Sequence, residues 1–191
     1  SQQGHLELTR LLLVHGADVN QVYGDGQSPL FIATVTNHID IARALIEHDA
    51  NVNLATDAGM APLPAAASKN NLDIARLLLD CDADVNQENN DGVSPLLIAS
   101  QAGHTHIASL LLDSNANINQ VHGQLGMSPL FLACLAGHVD IVRLLLTRGA
   151  DANQEMEEGL SPLVLASMKG HHDVVRLLLD HGADFSEVFN G

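Results

Sequence analysis

The sequence predicts an all-α solenoid of stacked helix-turn-helix units joined by finger-like turns or hairpins. Three observations carry that expectation. A Gly-x-Ser/Ala-Pro-Leu pattern recurs from Gly26, Gly59, Gly92, Gly126 and Gly159, at a period of 33 residues that stretches once to 34. A glycine or asparagine follows each of these starts at a fixed interval, at Asn37, Asn70, Gly103, Gly137 and Gly170. Beyond it come paired apolar residues one turn apart, such as Ile41, Ala42, Leu45 and Ile46. A module of this size cannot bury its own apolar face and must stack on its neighbours, so self-similarity at this period reads as a repeat array.

Each element follows from local chemistry. Ser28, Ser94, Ser128 and Ser161 precede proline, so their oxygens can cap free amides while proline occupies the first helical position, where its missing N–H costs nothing. The first helix must stop where Gly4, Gly103, Gly137 and Gly170 recur, with Asn37 and Asn70 as the best substitutes for positive φ. A second helix, apolar on one stripe, ends at Gly16, Gly149 and Gly182, where Asp49, Asp82 and Asn115 stand in. A polar stretch such as Asn86-Gln87-Glu88-Asn89-Asn90-Asp91-Gly92 then forms a turn or short hairpin finger. Ala33, Ala66, Ala99, Ala133 and Ala166 hold one register in the first helix, where two helices approach closely.

With these residues the chain resembles the ankyrin repeat, most strongly from Gly126 to Asn153, through Ser128-Pro129-Leu130, Ala133, Gly137-His138, Ile141-Val142, Leu144-Leu145-Leu146, Gly149-Ala150-Asp151 and Asn153. The resemblance covers essentially the whole chain and implies a single ankyrin-repeat domain over 1–191. Its units are a partial repeat at 1–22 and repeats at 23–55, 56–88, 89–121, 122–155 and 156–191. One departure is systematic: the histidine that usually follows Pro-Leu is replaced by Phe31, Pro64, Leu97, Phe131 and Val164, and apolar packing is expected in place of its hydrogen bond.

Composition narrows the function. Twenty-three acids face 8 Lys and Arg, a formal net charge of −15. Five bases, Arg10, Arg43, Arg76, Arg143 and Arg176, each stand three residues after Glu7, Asp40, Asp73, Asp140 or Asp173, and exposed pairs at that spacing contribute about 0.2 to 0.5 kcal/mol each. The fourth unit breaks that column with His106 and Ser109, by drift or by a local contact. Surplus acid in the loops disfavours nucleic acid, which binds through Lys and Arg, and favours a basic partner or simple solubility. No apolar run suits membrane insertion. Cys81 and Cys134 read as free thiols, which points to an intracellular, cytoplasmic setting.

Eleven histidines invite a metal reading, but the period distributes them. His5, His38, His104, His138 and His171 occur one per unit, and His15, His48 and His181 fall in the last turn of second helices, where they complement the dipole. Repeats about 10 Å apart do not converge on one ion. With no phosphate loop, nucleophile elbow or metalloprotease motif, we expect no enzyme, no cofactor and no metal site.

What the scaffold leaves undetermined carries the functional expectation. Similarity to ankyrin repeats implies a partner protein or peptide held on the concave face of fingers and first helices. The residues just before Ser/Ala-Pro-Leu include Met60, Val93, Met127 and Leu160, and the ends of the first helices add Leu135 and Met168. Asp57, Asp91, Glu157 and Glu158 border this track, so the expected partner is a segment combining apolar anchors with Lys or Arg. Two alternatives stand beside it: these side chains pack on neighbouring fingers and stabilise the stack, or the whole stretch is an architectural spacer of a longer repeat protein with no specific partner. Both termini read as cut within a repeat, which predicts a monomer or weak head-to-tail self-association. Residues 56–88, with Ala61 for serine and Pro64 early in the first helix, are expected to be the weakest unit, strengthened by Ala61→Ser.

Overall fold

The computed structural model describes residues 2–123, 125–156 and 159–185, with side chains from His5 onward. They form eleven helices: α1 (Gln2–Val14), α2 (Pro29–Val35), α3 (Ile39–Ile46), α4 (Pro62–Lys69), α5 (Leu72–Leu79), α6 (Pro95–Ala102), α7 (Thr105–Asp113), α8 (Pro129–Ala136), α9 (Val139–Thr147), α10 (Pro162–Lys169) and α11 (His172–Asp180). The fold class is therefore the expected all-α repeat solenoid. The chain divides into two compact units, 1–95 and 96–191. Within the first, α2 packs on α3 and α4, and α5 packs on α3 and α4. Within the second, α8 packs on α9 and α10, and α11 on α9 and α10.

The predicted starts form as capping chemistry requires. Ser28, Ser128 and Ser161 are extended N-caps whose hydroxyls accept from the amides of Phe31, Phe131 and Val164, at 3.1, 3.2 and 3.3 Å. Ala61 makes no such bond. The predicted stops are equally local. Asn37, Asn70, Asp49, Asp82 and Asn115 are the non-glycine residues of positive φ among those described, all between 57° and 65°. They stand at the two repeat positions where other units carry glycine, Asn37 and Asn70 with Gly103, and Asp49, Asp82 and Asn115 with Gly149.

Some glycines answer to a neighbour as well as to φ. A Cβ on Gly103 would meet the His138 ring at 2.9 Å, and one on Gly137 would meet the His171 ring at 2.7 Å. Each ring also reaches back across the repeat, His138 Nε2 to the Gln101 carbonyl at 3.1 Å and His171 Nε2 to the Leu135 carbonyl at 3.3 Å. Asn71 has the same role in the first unit, donating to the Thr34 carbonyl at 2.7 Å. These residues precede their second helices without capping them; they fasten the previous repeat.

A second fastening recurs at the asparagine that closes each repeat. Asn53 accepts from the Asp84 amide at 2.8 Å and donates to the Asp82 carbonyl at 3.4 Å; Asn153 treats Asp184 and Gly182 alike. Gln87 and Gln154 donate to the carbonyls of Asn53 and Asn119. Beneath this polar ladder lies an aliphatic core, with Ile74, Leu78, Ile107, Leu111, Ile141 and Leu145 essentially inaccessible to water. Where the family histidine is missing, Leu97 and Phe131 are buried and Pro64 lies in the buried stripe of α4, so apolar packing takes its place there.

Two expectations need correction. Gly4 does not end a first helix: α1 runs through it, since a glycine in a helix interior costs only about 1 kcal/mol and no proline interrupts the segment. Nor do the five acid–arginine pairs of the second helices close. Among the described residues none of them forms an ion pair, because both partners are exposed and ordering long side chains there offsets most of the attraction. Arg148 instead pairs with Asp113 of the preceding repeat at 2.7 Å, with its other nitrogen 3.4 Å from Ser109. Ser109, which breaks the arginine column, is thus part of a local contact.

Candidate interaction surface

The fingers are built from a repeated closure. The residue that opens each finger donates its amide to the carbonyl of the residue before the next cap: Tyr23 to Gln27, Thr56 to Met60, Asn89 to Val93, His122 to Met127 and Met156 to Leu160. In the first and fourth the closing amide returns the bond, giving isolated antiparallel bridges. In the second and third a side chain accepts it, Thr56 Oγ1 at 3.2 Å and Asn89 Oδ1 at 2.9 Å. The extra residue of the 34-residue repeat lies inside the fourth finger, where His122 and Met127 are five apart instead of four.

Met60, Val93, Met127 and Leu160 therefore sit at finger closures, not at the tips, and all four are half-buried. Met60 and Val93 belong to the first unit, Met127 and Leu160 to the second. The exposed apolar residues of the track are Leu135 (37 %) and Met168 (74 %), at the same register of α8 and α10, two helices that pack together within the second unit. Packed helices lie about 8 to 10 Å apart, so these two side chains are neighbours on one surface.

The acids are at the tips. Asp57 and Asp91 are exposed, and successive fingers are joined by backbone bonds from Asp57 to the Asp25 carbonyl and from Asn90 to the Ala58 carbonyl. Asn90 Nδ2 adds a bond of 2.8 Å to the Asp57 carbonyl. This stacking is tight: a Cβ on Gly26 or Gly59 would fall within 2.6 Å of Asp57 or Asn90. Glu157 and Glu158 lie outside the described residues.

Sequence reasoning passed over Leu125 and Val121, which are exposed beside the longer fourth finger, and Tyr23 and Ile32 in the first unit. The stretched period was the available signal for Leu125. For Tyr23 and Ile32 there was none, because their repeat positions elsewhere are not exposed apolar sites.

Five histidines serve the scaffold, His138 and His171 as described above and three others at helix ends. His15, His48 and His181 bond the carbonyl four residues back through Nδ1 at 2.7 to 2.9 Å, and a carbonyl only accepts, so Nδ1 carries the proton. Among the described residues no three His, Cys, Asp or Glu side chains are grouped to hold a metal, and no helix is long and apolar enough to cross a membrane. Cys134 is buried in α8, and desolvation pushes its thiol from the ordinary 9.0 up to about 12, so it is a packing residue without nucleophilic character.

A family model described as ankyrin repeats, in three copies, matches residues 1–89, 65–156 and 96–188. No curated protein matches the chain.

Proposed function

This chain belongs to the ankyrin-repeat family, and on that premise we propose that it binds a partner protein or peptide through the concave face of fingers and first helices. Ankyrin repeats are in general protein–protein interaction modules, typically without catalysis. The observation that carries the finer reading is the Leu135–Met168 pair, two apolar side chains left exposed at one register of adjacent first helices. Burying each contributes roughly 1.5 to 3 kcal/mol before the costs of association. Met127 and Leu160 add half-exposed apolar surface to the same unit, and Met60 and Val93 occupy the equivalent finger position within the first unit. Exposed Asp57 and Asp91, with Glu157 and Glu158, supply negative charge that speeds encounter with a basic segment more than it strengthens the complex. Two free thiols support a reducing, cytoplasmic location.

The test is a comparison of Leu135→Asp with Met168→Asp, combined in one chain, against the unaltered chain in quantitative affinity capture. The double variant is expected to keep its helicity and melting midpoint and to lose reproducible partners. Retention of those partners, with loss on substituting the exposed Arg143 and Arg176, would move the binding face to the second helices. A chain that enriches nothing reproducible would instead be an architectural spacer.

A further inference from the structure

Charge is divided unequally between the two helices of each repeat. None of the 23 acids and none of the arginines lies in the first helices α2, α4, α6, α8 and α10. Both lysines of the chain do, Lys69 as the last residue of α4 and Lys169 as the last residue of α10. Their register, held by Thr36, Lys69, Ala102, Ala136 and Lys169, is exposed in all five repeats, so it faces solvent by the geometry of the repeat. The two lysines differ in what adjoins them. Lys69 follows Ser68, whereas Lys169 follows Met168, and Leu135 holds the register of Met168 on the neighbouring α8. Consecutive Cα atoms are about 3.8 Å apart, so a group seated on Met168 is within reach of the Lys169 ammonium. Among the described residues that ammonium forms no ion pair. At the other end of α10, about 12 Å away along its length, exposed Glu155 borders a recess with Ser161.

Resting on the reading that Leu135 and Met168 anchor a partner, we propose that the anchored segment carries an aspartate or glutamate beside its apolar anchor, held by Lys169. The occupant is an internal segment of a partner protein. It is apolar over Leu135 and Met168, acidic towards the ends of the first helices, and basic towards the fingers. Charge complementarity fixes this polarity. A Lys or Arg next to the anchor would be set against Lys169 with no acid on α8 or α10 to offset it, whereas Glu155 receives it at the far end. The net charge of −15 does not reverse the local preference, because exposed charges beyond about 8 Å are largely screened at physiological salt.

The probe is a displayed library of random dodecapeptides selected on the whole chain. Enriched peptides are resynthesised as C-terminal amides, so that side chains supply their only carboxylates. The enriched sequences are expected to set an Asp or Glu next to apolar residues. Lys169→Glu should weaken them about three- to tenfold and Lys169→Gln less, the range open to an exposed ion pair and its reversal. Replacing the peptide's acid by lysine should restore binding to the Lys169→Glu chain. Lys69→Glu makes the same change at the end of α4 and should leave affinity unaltered, which separates recognition from the effect of a charge on a helix end. Binders that are lost on Leu135→Asp with Met168→Asp, yet carry no acid or are indifferent to both Lys169 substitutions, would overturn this inference and leave the face in place. So would equal losses from Lys69→Glu and Lys169→Glu. Binders indifferent to Leu135 and Met168, or a selection that enriches nothing, would overturn the face and this inference together.

Discussion

Ala61 and Pro64 stand in the relation of a missing acceptor to a missing donor. In α2, α8 and α10 the cap serine accepts from the amide three residues on, and in α4 that third residue is proline, which has no amide hydrogen. The absent cap bond leaves no third-position donor orphaned. Pro64 also costs no ladder bond, since amides of the first helical turn have no partner within the helix. Serine at Ala61, which is 1 % exposed, would bury a hydroxyl without its usual partner. The gain expected from Ala61→Ser on sequence grounds is therefore withdrawn.

The prediction that replaces it is a double-mutant cycle. Ala61→Ser alone should not raise the urea midpoint, and Ala61→Ser added to Pro64→Ala should stabilise by about 0.5 to 2 kcal/mol relative to Pro64→Ala alone. A gain from the single serine substitution as large as that in the Pro64→Ala background would dissociate the two positions.

Gly137 and Gly170 have φ of 74° and 75°, yet a Cβ at Gly170 meets nothing within 4 Å and one at Gly137 meets the His171 ring. Gly170→Ala should cost about 1 to 2 kcal/mol, the left-handed penalty alone. Gly137→Ala should cost more, because the ring must also yield its bond to the Leu135 carbonyl. Adding His171→Ala should reduce the difference. Equal losses at the two glycines, measured by chemical denaturation, would show that the ring exerts no constraint.

Asn53 serves two backbone groups of the next repeat at once, so Asn53→Ala should destabilise by about 1 to 3 kcal/mol. Amide exchange at Asp84 should accelerate beyond what the global loss explains. Asn53→Asp retains an acceptor for that amide and should protect it better than alanine does. The reverse order of protection would discount the acceptor bond.

Cys134 predicts a selective thiol pattern and an alkaline loss of stability. Below pH 9 its thiol is protonated in folded and unfolded chains alike, so its contribution is fully present there. Between 9 and about 12 the unfolded thiol ionises while the buried one resists, and stability falls over that window. Native chains at pH 8 should accept thiol reagent at half-buried Cys81 while Cys134 reacts on unfolding. Replacement by alanine should flatten the alkaline slope; an unchanged slope would assign it to other groups.

Much of this fold was legible because its determinants are local and repeat. Ser-Pro starts, the Asn37, Asp49, Asn70, Asp82 and Asn115 stops, and the Ala33 column are each set by a residue's own backbone preference, and repetition separates them from chance. Reading failed where an outcome depended on what lies opposite. The acid–arginine spacing in the second helices was correct as a pattern, but spacing does not say whether two solvated side chains close, whereas Arg148 and Asp113 meet across repeats at a separation of 35 in sequence. The candidate track was likewise divided by exposure: Leu135 and Met168 face solvent, while the finger closures draw Met60, Val93, Met127 and Leu160 halfway in.

The amino-acid sequence by itself determined the unit, its period, its helix boundaries and the apolar stripe of each second helix, since these follow from steric limits on φ, from capping and from side-chain periodicity. Tertiary structure alone decided which partners those residues meet: the His171 ring over Gly137, the Asn53 clamp on the following repeat, and the Arg148–Asp113 pair across two repeats. Such contacts depend on the approach of chain segments far apart in sequence, where angstrom-scale packing decides which groups meet, and no local preference encodes that distance.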